Sequence, residues 1–196
     1  MSLPNAITLS RIPLMFVIAW LTYQGWTGAA SLAFWFFIAA AIGDWLDGYL
    51  ARTRGQVSVF GKLMDALTDK IMVLGLVVVF VEKQQIPVLL ALITLCREFL
   101  ITGMRMVMAS KGVIVAADGG GKSKTITQLI ALGFLLAAPM VGRDWARGTS
   151  ADLTRLTALV EQIGYWIFML GTALAVWSGT RYIVQHRKPV FADADR

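Results

Sequence analysis

Apolar residues dominate six long stretches of the chain, at 6–22, 28–51, 61–81, 86–108, 124–141 and 156–183, with short polar segments between them. Each stretch approaches the roughly 20 residues that a helix needs to cross a bilayer, so the pattern predicts an all-α integral membrane protein with six transmembrane helices. The last is long enough to continue past the membrane, into a short polar C-terminal tail at about 185–196. Trp20, Tyr23 and Trp26 cluster at the far end of the first stretch and Trp145 lies just beyond the fifth, where interfacial aromatics collect. Gly119-Gly120-Gly121 reads as a flexible turn, and the charged segment 142–155 as a solvated outer loop.

Composition sharpens this picture. The hydrophobic set makes up 57% of 196 residues and charged residues only 15%, at a mean hydropathy of +0.67. Soluble domains carry about 25% charged residues, so a water-soluble globular fold is excluded. Six spans take up about 120 residues, which leaves too few for a separate soluble domain and predicts one membrane-embedded domain over 1–196. The net charge is +6. The basic residues sit at the ends of apolar segments instead of forming one stripe, which points to anionic lipid headgroups and away from nucleic acid. Cys96 is the only cysteine and His186 the only histidine, so neither an intrachain disulfide nor a zinc cluster can be built. The N-terminus lacks a signal-peptide pattern, and the first helix is expected to be retained.

Charge also orients the spans. If they alternate, Arg11, Arg52, Arg54, Lys111, Lys122, Lys124, Arg187 and Lys188 fall on one side. Lys83, Arg143, Arg147 and Arg155 fall on the other, partly balanced by Glu82, Asp144 and Asp152. Both termini are therefore expected on the cytoplasmic side of a bacterial-type membrane.

The candidate chemistry lies where the second and third stretches turn polar. Asp44 and Asp47 are three apart, and Asp65 and Asp69 four apart, so on helices each pair shares a face. The apolar run 71–81 is too short to span alone, which draws Asp65 and Asp69 into the membrane region. The same argument draws in Asp44 and Asp47. A charge at a helix centre costs about 2.5–3.5 kcal/mol on insertion scales, so four acids imply a function. Lys62, Lys70 and Arg52 could offset part of their repulsion; hard divalent cations would offset more, and prefer carboxylate oxygens while keeping positions for substrate phosphates. A two-metal site at the membrane edge is expected, with local salt bridges as the plainer alternative.

These residues resemble the signature of the CDP-alcohol phosphotransferase family, D-x2-D-G-x2-A-R-x8-G-x3-D-x3-D, matched at Asp44, Asp47, Gly48, Ala51, Arg52, Gly61, Asp65 and Asp69. The resemblance implies a six-helix membrane enzyme, usually a homodimer. Such an enzyme breaks the pyrophosphate of a CDP-linked lipid alcohol and transfers the phosphatidyl group to an acceptor hydroxyl, releasing CMP. It assigns Asp44, Asp47, Asp65 and Asp69 to two divalent ions, Mg2+ or else Mn2+, with Asp69 as proton acceptor, and gives Gly48, Arg52 and Ser58 contacts to the CDP moiety. The residue types suit those roles. Gly48 leaves room for the nucleotide, and the planar fork of Arg52 can pair with pyrophosphate oxygens.

The fourth stretch carries Cys96-Arg97-Glu98-Phe99-Leu100-Ile101-Thr102-Gly103-Met104-Arg105. Arg97 and Arg105 are eight apart, about 80° around a helix and 12 Å along it, so both can face one cavity. Intramembrane arginines are functional candidates, although they also hold helices together or reach for the interface. Glu98, adjacent to Arg97, is expected to point elsewhere and to find any partner on another helix. Gly121-Lys122-Ser123-Lys124-Thr125 lacks the first glycine of a P-loop, since position 116 is Ala116; Lys122 and Lys124 remain as a basic start to the fifth span.

Together these segments are similar to family members whose acceptor is sn-glycerol 3-phosphate and whose lipid substrate is CDP-diacylglycerol. Arg97, Arg105, Lys122 and Lys124 would then bind the acceptor phosphate, in a polar cavity on the cytoplasmic side. Asp65-Ala66-Leu67-Thr68-Asp69-Lys70 departs from the D-P-V-A-D-K of many such members while keeping both acids. Inositol phosphate, serine or a phospholipid as acceptor, and a cation transporter, are the alternative readings.

Overall fold

The computed structural model describes residues 3–53, 59–110, 119–149 and 152–191, with side chains described at 9–43, 68, 70–109, 123–149 and 152–185. Six long helices account for nearly all of it: α1 (Leu3–Tyr23), α2 (Ala29–Thr53), α3 (Val59–Glu82), α4 (Val88–Ser110), α5 (Gly119–Pro139) and α6 (Thr154–Phe191). Each predicted stretch falls on one of these helices to within two residues, but Gly119-Gly120-Gly121, expected as a turn, opens α5 instead. Residues 185–191, expected in a polar tail, instead extend α6, which reaches 38 residues. The acidic end at 193–195 lies outside the described residues, as does the segment 111–118.

Among the described residues, 123–145 and 154–185 are each long and apolar enough to cross a membrane, at mean hydropathies of 1.7 and 1.5. The surface agrees with an apolar surrounding. Phe16, Trp35, Leu89, Phe99, Trp166 and Trp177 are all 59% or more exposed, an outward display of large apolar groups that water would penalise and lipid tails would not.

The core draws on all six helices. Ile18 of α1, Phe37 of α2, Leu76 and Phe80 of α3, Ala91 of α4, Leu132 and Leu135 of α5 and Phe168 of α6 bury one another. α5 lies centrally, packed along α6 and against α2 and α3. Close approach depends on small residues. A Cβ at Gly75 of α3 would sit 2.1 Å from the Met15 sulfur of α1, so only glycine fits there without displacing that side chain.

One end of the bundle shows how the helices alternate. Lys83, after α3, donates to the Thr22 carbonyl at the end of α1 (2.8 Å), and Arg143, after α5, donates to the Gln24 carbonyl (3.2 Å). Gln85 at the start of α4 bonds Glu161 in the first turns of α6 (2.9 Å). The ends of α1, α3 and α5 thus meet the starts of α2, α4 and α6. The end of α2 and the start of α3, with the four acids, lie at the opposite end.

The segment after α5 is solvated only in part: Trp145, Arg147, Gly148, Thr149 and Asp152 are exposed, as expected of an outer loop, but its first residues are helical and bond across this end. Pro139 has no N–H to continue the α-helical ladder, and the chain passes into a π-helical turn, Met140–Trp145. That turn presents Asp144, whose Oδ2 accepts from the Ser31 N–H and hydroxyl, both at 2.7 Å, and so caps the start of α2 from another helix. Arg147 donates to the Thr27 hydroxyl at 2.7 Å. Three of the four cations predicted for this side, Lys83, Arg143 and Arg147, therefore cap α1 and the α1–α2 turn. Trp20, Tyr23, Trp26 and Trp145 are all exposed around them, as an interfacial belt requires.

Candidate active site

At the opposite end, α2 carries Asp44, Asp47, Gly48, Ala51 and Arg52, and α3 carries Gly61, Asp65 and Asp69, all on helical backbone. Helical spacing puts each acid pair on one face of its helix. The side chains of these eight residues, and that of Lys122 on α5, lie outside the described set; Ser58 lies outside the described residues altogether. Among the described side chains, no group of three or more His, Cys, Asp or Glu gathers into a metal cluster. The four carboxylates of α2 and α3, hard oxygen donors on two helices, are the donor set that suits divalent ions.

The acceptor-phosphate candidates are better defined. Arg97 of α4 lies along α6, where its Nε donates to the Ala175 carbonyl (3.1 Å) and its Nη2 to the Ser178 hydroxyl (3.0 Å). Its Nη1 donates to Glu98 Oε1 at 2.8 Å. The same carboxylate oxygen accepts from the Lys124 ammonium of α5. One buried acid thus joins three helices, with Glu98 only 7% and Lys124 only 4% exposed.

This corrects one expectation. Adjacent helical residues diverge by about 100°, yet Arg97 and Glu98 pair, because the long arginine side chain folds over α6 and returns its guanidinium to its neighbour. The expected partner on another helix is also present, as Lys124. The fit depends on Gly179, where a Cβ would lie 3.1 Å from Arg97 Cγ and 3.4 Å from its Nε.

Arg105 sits two turns further along α4, its Cζ 5.5 Å from the centre of the Tyr182 ring of α6, within cation–π range. Tyr182 is buried with Ile101 and Met104. Below the cluster the polar seam continues inward. The Thr94 and Thr172 hydroxyls are 3.2 Å apart, and Gln128, one turn beyond Lys124, is 1% exposed. Arg11, expected at the interface, is also buried at this end, at 3% exposed.

The seam reaches toward the acids. α3, which carries Asp65 and Asp69, packs against both α4 and α5. The structure therefore brings Arg97 and Lys124 together through Glu98 and sets Arg105 further along α4. Sequence reasoning missed the joining role of Glu98 and the α6 contributions of Ala175, Ser178 and Tyr182. The small residues 175, 178 and 179 were the available signal for a close-packed face on α6.

An apolar groove of about 420 Å³ runs between α2 and α5, lined by Phe34, Ile38 and Ala41 on one side and Leu129, Gly133 and Phe134 on the other. Ala41 is one helical turn before Asp44, so the groove leads toward the acid end.

The chain belongs to the CDP-alcohol phosphatidyltransferase family, whose model matches residues 1–177. It is a membrane protein of that family, and its described residues form helices with no strand among them. Among its curated relatives, the CDP-diacylglycerol–glycerol-3-phosphate 3-phosphatidyltransferase of Bacillus subtilis strain 168 is 39% identical over 147 residues, covering 69% of this chain and 76% of the relative. The Rickettsia typhi protein of the same name is 36% identical over 135 residues, with 69% and 76% covered. That of Shigella flexneri serotype 5b is 31% identical over 186 residues, 93% of each chain.

Proposed function

We propose that this protein transfers the phosphatidyl group of CDP-diacylglycerol to sn-glycerol 3-phosphate, giving phosphatidylglycerophosphate and CMP. The observation that carries the reading is a complete eight-position acid motif on α2 and α3, together with a buried Arg97–Glu98–Lys124 cluster on the neighbouring helices α4 and α5. The names of the relatives support the same donor and acceptor. The groove between α2 and α5 offers an apolar bed for a lipid chain whose headgroup lies at the acids.

In this reading the protein spans the membrane six times, acts as a homodimer, and has its termini and its site on the cytoplasmic side. Asp44, Asp47, Asp65 and Asp69 hold two divalent cations, Mg2+ by preference. Bound there, the ions neutralise the pyrophosphate and the departing CMP. Gly48 lets the nucleotide approach α2, Arg52 pairs with pyrophosphate oxygens, and Ser58 adds a contact to the CDP moiety. Lys122, Lys124, Arg97 and Arg105 draw in the acceptor phosphate and leave its free hydroxyl at the donor phosphorus. Asp69 accepts the proton of that hydroxyl as it attacks.

The test is CMP release by purified protein in detergent with CDP-diacylglycerol and Mg2+, comparing glycerol 3-phosphate, inositol phosphate, serine and no acceptor, each with and without EDTA. Release is expected only with glycerol 3-phosphate and metal. Release with another acceptor would overturn the acceptor assignment, and release undiminished by EDTA the metal assignment. No release with any acceptor from folded protein would favour cation transport.

A further inference from the structure

The cation cluster contains an anion that the proposed chemistry does not use. Two buried cations destined for a phosphate would bind it more strongly, on charge alone, without a competing carboxylate between them. Glu98 nevertheless sits there, with one oxygen accepting from both Arg97 Nη1 and Lys124 Nζ.

Geometry gives the reason. A lysine ammonium is a compact charge on a flexible four-carbon stem, and Lys124 is close to the start of α5. Among the described residues its Nζ bonds Glu98, and Glu98 is in turn tied through Arg97 to Ala175 and Ser178 of α6. The carboxylate therefore fixes the ammonium of α5 against the α4–α6 contact. An ammonium has three N–H donors, so two remain after the bond to Glu98. Charge argues in the same direction. With Lys122 the proposed acceptor site holds four positive charges, and Glu98 lowers the net to three, which still exceeds the charge of about −1.5 to −2 on a phosphomonoester.

We infer that Glu98 is a positioning residue for the phosphorylated acceptor: it holds Lys124 and Arg97 in the arrangement that receives the phosphate, and it makes no contact with the reacting atoms. The inference rests on the acceptor assignment proposed above. It predicts that Glu98 controls acceptor binding and leaves binding of the CDP-lipid unchanged.

The experiment measures CMP release by full-length protein in detergent, varying glycerol 3-phosphate and CDP-diacylglycerol separately, for wild type, Glu98→Gln, Lys124→Met and the double variant. Glu98→Gln keeps the shape and removes the charge. It is expected to raise the KM for glycerol 3-phosphate about tenfold or more and to move that for CDP-diacylglycerol less than twofold, since hydrogen bonds to charged groups are the strong ones. In the Lys124→Met background the same substitution should add less than it does in wild type, because one of the two groups that Glu98 positions is gone. If Glu98→Gln does not accumulate as folded protein, Glu98→Asp, which sets the charge back by one methylene, is expected to give the same one-sided rise. An unshifted acceptor KM, a parallel rise in both KM values, or simple additivity with Lys124→Met would overturn the inference. Failure of the wild type to use glycerol 3-phosphate would instead condemn the acceptor assignment.

Discussion

Replacing Gly179 by alanine tests the seating of Arg97, because two physical effects of opposite sign compete there. In a helix interior alanine is favoured over glycine by about 1 kcal/mol, so an unobstructed site would be stabilised. The structure obstructs it: the new Cβ would lie 3.1 Å from Arg97 Cγ and 3.4 Å from Nε. Carbon contacts settle near 3.5–4.0 Å, so Arg97 must retreat by about 0.5 Å. Its Nε–Ala175 contact of 3.1 Å would then stretch to about 3.6 Å, no longer a hydrogen bond. A hydrogen bond to a charged group contributes about 1.5–3 kcal/mol, which outweighs the gain in helix propensity and leaves a net loss of about 0.5–2 kcal/mol. Because Nη1 of the same guanidinium holds Glu98, the shift is transmitted to Lys124. Gly179→Ala should therefore lower the midpoint of thermal unfolding in detergent and raise the KM for glycerol 3-phosphate severalfold, and Gly179→Val should do more of both. An alanine variant melting at or above wild type with an unchanged KM would refute the reasoning, since helix propensity would then have acted unopposed.

Other expectations follow from the site and from the opposite end. Asp69→Asn should retain CDP-diacylglycerol binding while losing turnover; near-normal kcat would remove Asp69 from the role of proton acceptor. Asp144→Ala should destabilise the protein by about 1–2 kcal/mol by uncapping α2, visible in thermal unfolding, and Asp144→Asn should do less harm because it keeps an acceptor oxygen. Asp152 is held below the usual carboxylate range by the Thr154 hydroxyl and then by the Thr154 N–H at the start of α6. A depressed carboxylate stabilises the fold above its unfolded pKa, and that contribution is lost as pH falls through the lower folded value. Wild type should thus lose stability below about pH 4 more steeply than Asp152→Ala, and identical acid profiles would contradict this.

The helices were legible in the sequence because long apolar stretches have few ways to satisfy their backbone in an apolar medium. The acids were legible for a related reason: four carboxylates in apolar stretches stand out by their cost. The joining role of Glu98 was not legible, since periodicity places adjacent residues on different faces and knows nothing of a guanidinium that doubles back over a glycine on another helix. Nor were the bonds made by the segment 142–149. Its charges read as solvated, whereas Asp144 and Arg147 bond residues more than 100 positions away. Charge in a sequence reports desolvation cost, and the partners that offset it are tertiary.

The pairing of Arg97 with Glu98 also bears on how such a chain enters a bilayer one helix at a time. Both charges lie on α4, so this segment carries its own counter-ion as it leaves the insertion machinery, before α5 or α6 has been synthesised. Lys124 arrives next and meets an acid already in place. Ala175 and Ser178 come last, and draw the guanidinium across onto α6. For Arg97 and Lys124, order of synthesis and order of neutralisation coincide.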